Sequence, residues 1–158
     1  MSIEIRKLTE SDLPTVFALM TEFAEYENLM EYLDIKPASY IEAMFGAKAF
    51  VEGLIAFNGE EAVGYAIFYP CFATFRSLPG MFLEDLFVSE KARGTGLGDK
   101  LLRSVAQRAL QRGFERIDLH VLDWNAPAIE FYKKRGADGG SSDLHFRFVG
   151  DAFRKLAE

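Results

Sequence analysis

Arg93-Gly94-Thr95-Gly96-Leu97-Gly98 lies between an apolar run and an amphipathic stretch. Glycines let successive backbone N–H groups turn toward one point, and a helix that follows adds the partial positive charge of its N-terminus. A diphosphate suits such a cradle; a plain strand-to-helix connection is the alternative. Two familiar phosphate loops do not fit. A Walker loop needs Gly-Lys-Ser/Thr, and a dinucleotide fingerprint starting at Gly94 needs Gly or Ala at position 99; Asp99 stands in both places. Upstream, Glu84 and Asp85 interrupt the apolar run 81–88. An acid inside an apolar strand is a candidate for chemistry, or a structural carboxylate at a strand end or bulge. In a regular strand Asp85 would point to the face opposite Glu84.

The elements that must position these residues are legible from periodicity. Residues 3–8 alternate as a strand. Thr9 with Asp12, or Ser11 alone, can cap a helix whose face carries Leu13, Val16, Phe17, Met20, Phe23 and Ala24. Pro37 and Ser39 open a short helix over 40–45. Residues 48–57 and 62–69 are strands around Asn58-Gly59, a hairpin signal in which both turn residues tolerate positive φ. Residues 71–75 extend the sheet, Leu78-Pro79-Gly80 turns the chain, and 81–88 reads as a buried central strand. A long helix over 97–112 stops at Gly113, and Ile117, Leu119 and Val121 mark a strand. Asn125 caps a helix ending at Gly136, a Gly/Ser loop spans 138–143, and Leu144 to Val149 forms a last strand before an amphipathic tail. The order β-α-α-β-β-β-α-β-α-β predicts one α/β domain over 1–158, a mixed sheet with helices packed on it.

Composition narrows the function classes. The 158 residues are 49% hydrophobic and 27% charged, which is ordinary for a globular domain. With 18 Lys plus Arg against 24 Asp plus Glu, the net charge is −6, which disfavours a broad nucleic-acid surface. No apolar run reaches the roughly 18 residues of a membrane span. The single cysteine, Cys71, excludes a disulfide within the chain, and a cytoplasmic protein is expected. The two histidines and Cys71 show no ligand spacing, so no metal is expected. Charge is segregated: no base lies between Lys7 and Lys36, whereas 91–116 holds seven bases against Asp99 and Glu115. Two solvated helix faces explain this, as does an acidic mouth for a cationic substrate beside a basic rim for an anionic cofactor.

Arg93-x-x-Gly96-x-Gly98 between a strand and a helix resembles the acyl-CoA signature of the GNAT acetyltransferases. Phe82-Leu83-Glu84-Asp85-Leu86-Phe87-Val88, Val121-Leu122-Asp123-Trp124-Asn125 and Phe131-Tyr132-Lys133-Lys134-Arg135-Gly136-Ala137 are similar to the diamine acetyltransferase branch, which includes spermidine/spermine and thialysine acetyltransferases. The resemblance covers the whole element order and implies a sheet splayed at the acyl-CoA site. It implies an acetyl-CoA-dependent N-acetyltransferase that acts by direct transfer on a primary amine of a small cationic substrate, in a homodimer. An amine of pKa about 10.4 is only about one part in 10³ neutral at pH 7, so it must be deprotonated; the intermediate needs oxyanion donors and the thiolate benefits from a proton donor.

The resemblance also implies roles. Glu84 is the general base, through water, or the residue that orients the amine, and a bulged strand lets Asp85 reach the site. Tyr132 protonates the coenzyme sulfur; Asn125, about two helical turns earlier, and Ala128 contact the coenzyme. The backbone of Leu86, Phe87 and Val88 pairs with the pantetheine arm. The N–H groups of Gly94, Thr95, Gly96, Leu97, Gly98 and Asp99 hold the diphosphate, beside the charge of Arg93. Tyr26 and Glu27 match a substrate-binding pair, and His120 lines the acceptor cleft, as a gate, a recognition residue or a structural histidine. Polyamine-specific members carry an aspartate where Thr74 stands here, which favours a smaller amine or a thialysine- or lysine-like amino acid. A protein lysine or N-terminal acetyltransferase and a non-catalytic acyl-CoA-binding module are the competing readings; the second has little reason to keep both Glu84 and Tyr132.

Overall fold

The computed structural model describes residues 2–139 and 142–158. They fall into two compact units, the first ending at His120 and the second starting at Val121. The first unit contains β1 (Ile3–Lys7), α1 (Leu13–Tyr26), α2 (Pro37–Phe45), β2 (Glu52–Asn58), β3 (Glu61–Ala73), β4 (Leu78–Val88), α3 (Leu97–Gln111) and β5 (Ile117–Leu119). The second contains α4 (Ala126–Lys133) and α5 (Gly150–Leu156). The sheet order is β1-β2-β3-β4-β5, antiparallel except for the parallel β4–β5 pair. The expected α/β mixed sheet is present.

Alternation sorts the sheet's side chains onto two faces. Ile55, Tyr65, Ile67 and Phe87 pack with Leu13, Val16, Leu19 and Met20 of α1. Ala66, Phe68, Met81 and Leu83 pack with Val105 and Ala109 of α3, whose Leu97 and Leu101 bury against Ala56 and Val63. Glu52 of β2 ties α3 to the sheet through Arg108, at 2.8 Å, and Arg112.

Three local expectations are corrected. The β2–β3 hairpin turns on Gly59 and Glu60, because Asn58 pairs with Glu61; of these residues Gly59 alone has a positive φ, +63°. A glycine in the first turn position suits a II′ turn, which leaves Asn58 in the strand. Leu78-Pro79-Gly80 does not turn the chain: Leu78 pairs with Ala73 and Pro79 with Phe72, and the reversal lies in residues 74–77, where Ser77 has φ +54°. Leu144 to Val149 forms no strand. A strand needs a neighbour for its backbone, no ladder partner for it exists among the described residues, and Leu144 and Phe146 are 79% and 81% exposed. Part of the expected 138–143 loop, residues 140–141, lies outside the described residues.

Candidate active site

One register shift builds the site. Ile67 pairs with Asp85, but the next residue of β3, Phe68, pairs with Leu83, so Glu84 is an extra residue in β4. A bulge of this kind lets two successive side chains share a face. Phe82 and Glu84 keep the alternation on one side of the bulge, Asp85 and Phe87 on the other, and all four lie on the face of Tyr65 and Tyr69. The hydrogen bonds agree: the Tyr69 hydroxyl donates to Glu84 Oε2 at 2.9 Å, and the Tyr65 hydroxyl donates to Asp85 Oδ2 at 3.3 Å. The bulge that the resemblance implied is present, and Asp85 shares the face of Glu84 instead of taking the opposite face of a regular strand.

The two carboxylates differ in environment. Glu84 is exposed. Burial pushes the Asp85 carboxyl up to about 7, the charge of Glu84 adds to this, the Tyr65 hydrogen bond opposes it, and Glu27 raises it further. Burial also raises Glu27, which follows the last residue of α1. Tyr65 is fully buried and its phenol is held well above its ordinary value by burial first and Asp85 second. Tyr69 is pushed up to about 12 by burial and by its bond to Glu84. Tyr40 of α2 is raised by burial and by the charges of Asp85 and Glu84. Three acids and three phenols thus gather on one face of the first unit.

Aromatic rings extend this face. Phe82 stacks on Tyr69, with centroids 5.4 Å apart, and the exposed His120 meets Phe82 edge-on at 5.1 Å. Tyr26, the last residue of α1, carries the Arg93 guanidinium over its ring at 4.3 Å, and Arg93 Nε donates to the Val88 carbonyl at 3.2 Å. Arg93 therefore braces the glycine loop against α1. Glu22 of α1 adds a second brace, accepting from Ser89 Oγ at 2.9 Å and from the Glu90 N–H at 3.1 Å.

The strand beside the acids is open on one edge. β5 pairs with Met81, Phe82 and Leu83 and then leaves β4, so among the described residues β4 from Glu84 to Val88 pairs with β3 alone. Past its end, Gly94 and Gly96 have φ +74° and +80°, and among the described residues no atom beyond the adjoining ones lies within 4 Å of where a Cβ on either would sit. Gly96 caps α3 without a side-chain hydrogen bond, and a helix start of this kind presents N–H groups to an anion. The Thr95 hydroxyl is turned away, donating to the Ala92 carbonyl at 2.6 Å, and the Asp99 carboxylate accepts from Arg103 at 2.6 Å. An extended chain ending in a diphosphate fits this open edge and loop.

In the second unit, Asn125 is buried and caps α4, its Oδ1 accepting from the Ala128 N–H at 3.3 Å. Tyr132 lies in the last turn of α4, edge-on to Phe131 at 5.0 Å. Sequence reasoning missed Tyr40, Tyr65 and Tyr69. Phenols four residues apart in an apolar strand were the available signal for the last two, since a buried hydroxyl requires a partner.

The profile of the Acetyltransferase (GNAT) family matches residues 13–137. The chain belongs to this family. A mouse (Mus musculus) thialysine N-epsilon-acetyltransferase is 34% identical to it, with 99% of this chain and 98% of that protein covered. A human (Homo sapiens) spermidine/spermine N(1)-acetyltransferase-like protein is 29% identical over 89% of this chain and 21% of its own length. Among solved structures, an integron cassette protein from the mobile metagenome of V. cholerae superposes with a TM-score of 0.80 at 25% identity, covering 100% of this chain and 99% of that one. As a GNAT enzyme the protein is an acyltransferase, and its relatives include diamine acetyltransferases. The family uses acetyl-CoA as co-substrate. No helix among the described residues is long and apolar enough to cross a membrane.

Proposed function

We propose that the protein transfers the acetyl group of acetyl-CoA directly to a primary amine of a small cationic substrate, with a thialysine- or lysine-like amino acid foremost. The observation that carries this reading is the bulge: it sets Glu84 and Asp85 together where β4 loses its second neighbour. The acceptor amine is held by the acidic face of Glu27, Glu84 and Asp85, with Tyr26 and His120 at its margins. The carboxylate pair orients the ammonium and removes its proton. The backbone of Leu86, Phe87 and Val88 offers hydrogen bonds to the pantetheine arm, and the N–H groups from Gly94 to Asp99 take the diphosphate. Tyr132 gives a proton to the departing thiolate, while Asn125 and Ala128 contribute to coenzyme binding. Homodimeric assembly, which rests on the resemblance to the diamine branch, and a cytoplasmic location, which rests on the single cysteine, belong to the same proposal.

A panel of thialysine, lysine, diamines, polyamines and a basic peptide, each with acetyl-CoA and followed by thiol release, tests it. The expected order has thialysine or lysine first and spermine well behind, with Thr74 on the exposed β3–β4 turn in place of an acid. A strong preference for the peptide overturns the small-amine reading. Tyr132→Phe is expected to lower kcat by about 10²–10⁴-fold, the usual worth of a general acid, with coenzyme affinity retained. Unchanged kcat removes Tyr132 from the mechanism.

A further inference from the structure

Glu84 and Asp85 share a face but differ as acids. Glu84 is exposed and accepts from Tyr69; the Asp85 carboxyl points inward to the fully buried Tyr65, beside Phe87. The titratable groups that face Asp85 are Glu84 on its own strand, Tyr65 and Tyr69 from β3, Glu27 from the end of α1 and Tyr40 from α2. None of them is a cation, and among the described residues no lysine or arginine forms an ion pair with Asp85. A carboxylate so placed is well made to receive a proton and poorly made to serve as a permanent anchor.

Resting on the acetyl-transfer proposal, we infer that Asp85 takes the proton from the substrate ammonium, that Tyr65 positions the Asp85 carboxylate, and that Glu84 with Tyr69 orients the amine. The proton passes through a hydrogen bond or a single bridging water. The N–H bond breaks, its electron pair stays on nitrogen, and Asp85 becomes the neutral acid. The nitrogen then bonds to the acetyl carbon as the C–S bond breaks. The second N–H proton balances the thiolate, and Asp85 returns its own proton to solvent before the next turnover. Burial holds Asp85 near about 7, so at neutral pH it is ionised in a large share of molecules and is basic enough to take the proton.

The test is kcat and KM against pH from 5.5 to 9, with thialysine, saturating acetyl-CoA and thiol release as the readout. The wild type is expected to lose kcat/KM, the ratio that reports the free enzyme, on an acid limb centred near pH 7. Asp85→Asn is expected to lower kcat by about 10²–10⁴-fold and to abolish the limb. Glu84→Gln is expected to raise KM and to keep the limb, moved to lower pH by the loss of the neighbouring negative charge. Tyr65→Phe removes the bond that favours the charged carboxylate, so its limb moves to higher pH, a shift that a purely structural tyrosine would not produce. An acid limb that survives in Asp85→Asn, or one lost in Glu84→Gln at unchanged KM, overturns the assignment. Carboxyl-carbon NMR of aspartate-labelled wild type gives a readout without turnover: one resonance, absent from Asp85→Asn, should titrate near neutral pH, and ordinary titration of every aspartate overturns the inference. Wild type that shows this titration but releases no thiol with any amine overturns the transferase reading instead.

Discussion

Asp12 and Asp85 are the same side chain in opposite circumstances. Asp12 closes the junction between β1 and α1. Its Oδ1 and Oδ2 accept from both terminal nitrogens of Arg6, at 2.8 and 2.7 Å, and Oδ2 also takes the N–H and hydroxyl of Thr9, at 2.8 and 2.7 Å. Those bonds, against the cost of burial, hold its carboxyl well below the usual range. Asp85 has one phenol, two neighbouring acids and no cation, and is held well above that range. An acid that secures structure comes with its counter-charge from nearby sequence. An acid that must change charge during a reaction is left without one, and folding bears the cost.

The largest expected break in this comparison is at Asp12. Asp12→Asn leaves a half-buried guanidinium short of its partner, and a loss of about 2–3 kcal/mol is expected, between the values for exposed and buried pairs. Urea unfolding at pH 7 measures it. Because the folded pKa lies below the unfolded one, this contribution is complete above about pH 4 and disappears as pH falls further. At Asp85 the sign reverses. The folded pKa exceeds the unfolded one, so the cost of ionisation is absent below about pH 4, grows as pH rises and is complete above about 7. Asp85→Asn is therefore expected to stabilise the protein by about 1–2 kcal/mol at pH 8, as substitutions at strained active sites do, with the gain fading toward pH 4. A gain independent of pH would show that the carboxylate is not the source. The smallest effect belongs to Lys91→Met. Lys91 meets Glu61 at 2.6 Å, but both are well exposed, and no measurable change in Tm is expected.

Asp12 and Asp85 were not equally legible. Thr9 three residues before Asp12, at the head of an apolar stripe, announces a capping arrangement in the sequence alone. The Glu84-Asp85 pair was visible as an oddity: alternation alone sends Asp85 to the far face, the bulge came only from the family resemblance, and nothing in the residue types of β4 marks where β3 skips a partner. The Asn58-Gly59 hairpin was found, but strand pairing put Asn58 inside the ladder. Leu144 to Val149 has a strand's composition without a strand's neighbour. Periodicity reports which face a residue prefers. Pairing decides register, and register here decides the chemistry.

The bulge in β4 has an evolutionary consequence. It exists because one strand has one more residue than its neighbour across the same span, and that is a matter of counting, not of side-chain type. Replacing Glu84 by any other amino acid alters an acid but leaves the extra residue, so Asp85 still faces Tyr65. Only an insertion or deletion can restore an even count, and a deletion at Glu84 removes one acid in the same event. The arrangement is thus insulated from the commonest kind of mutation: substitution can retune the pair of carboxyl groups freely, while the backbone that presents them can be gained or lost only in a single step.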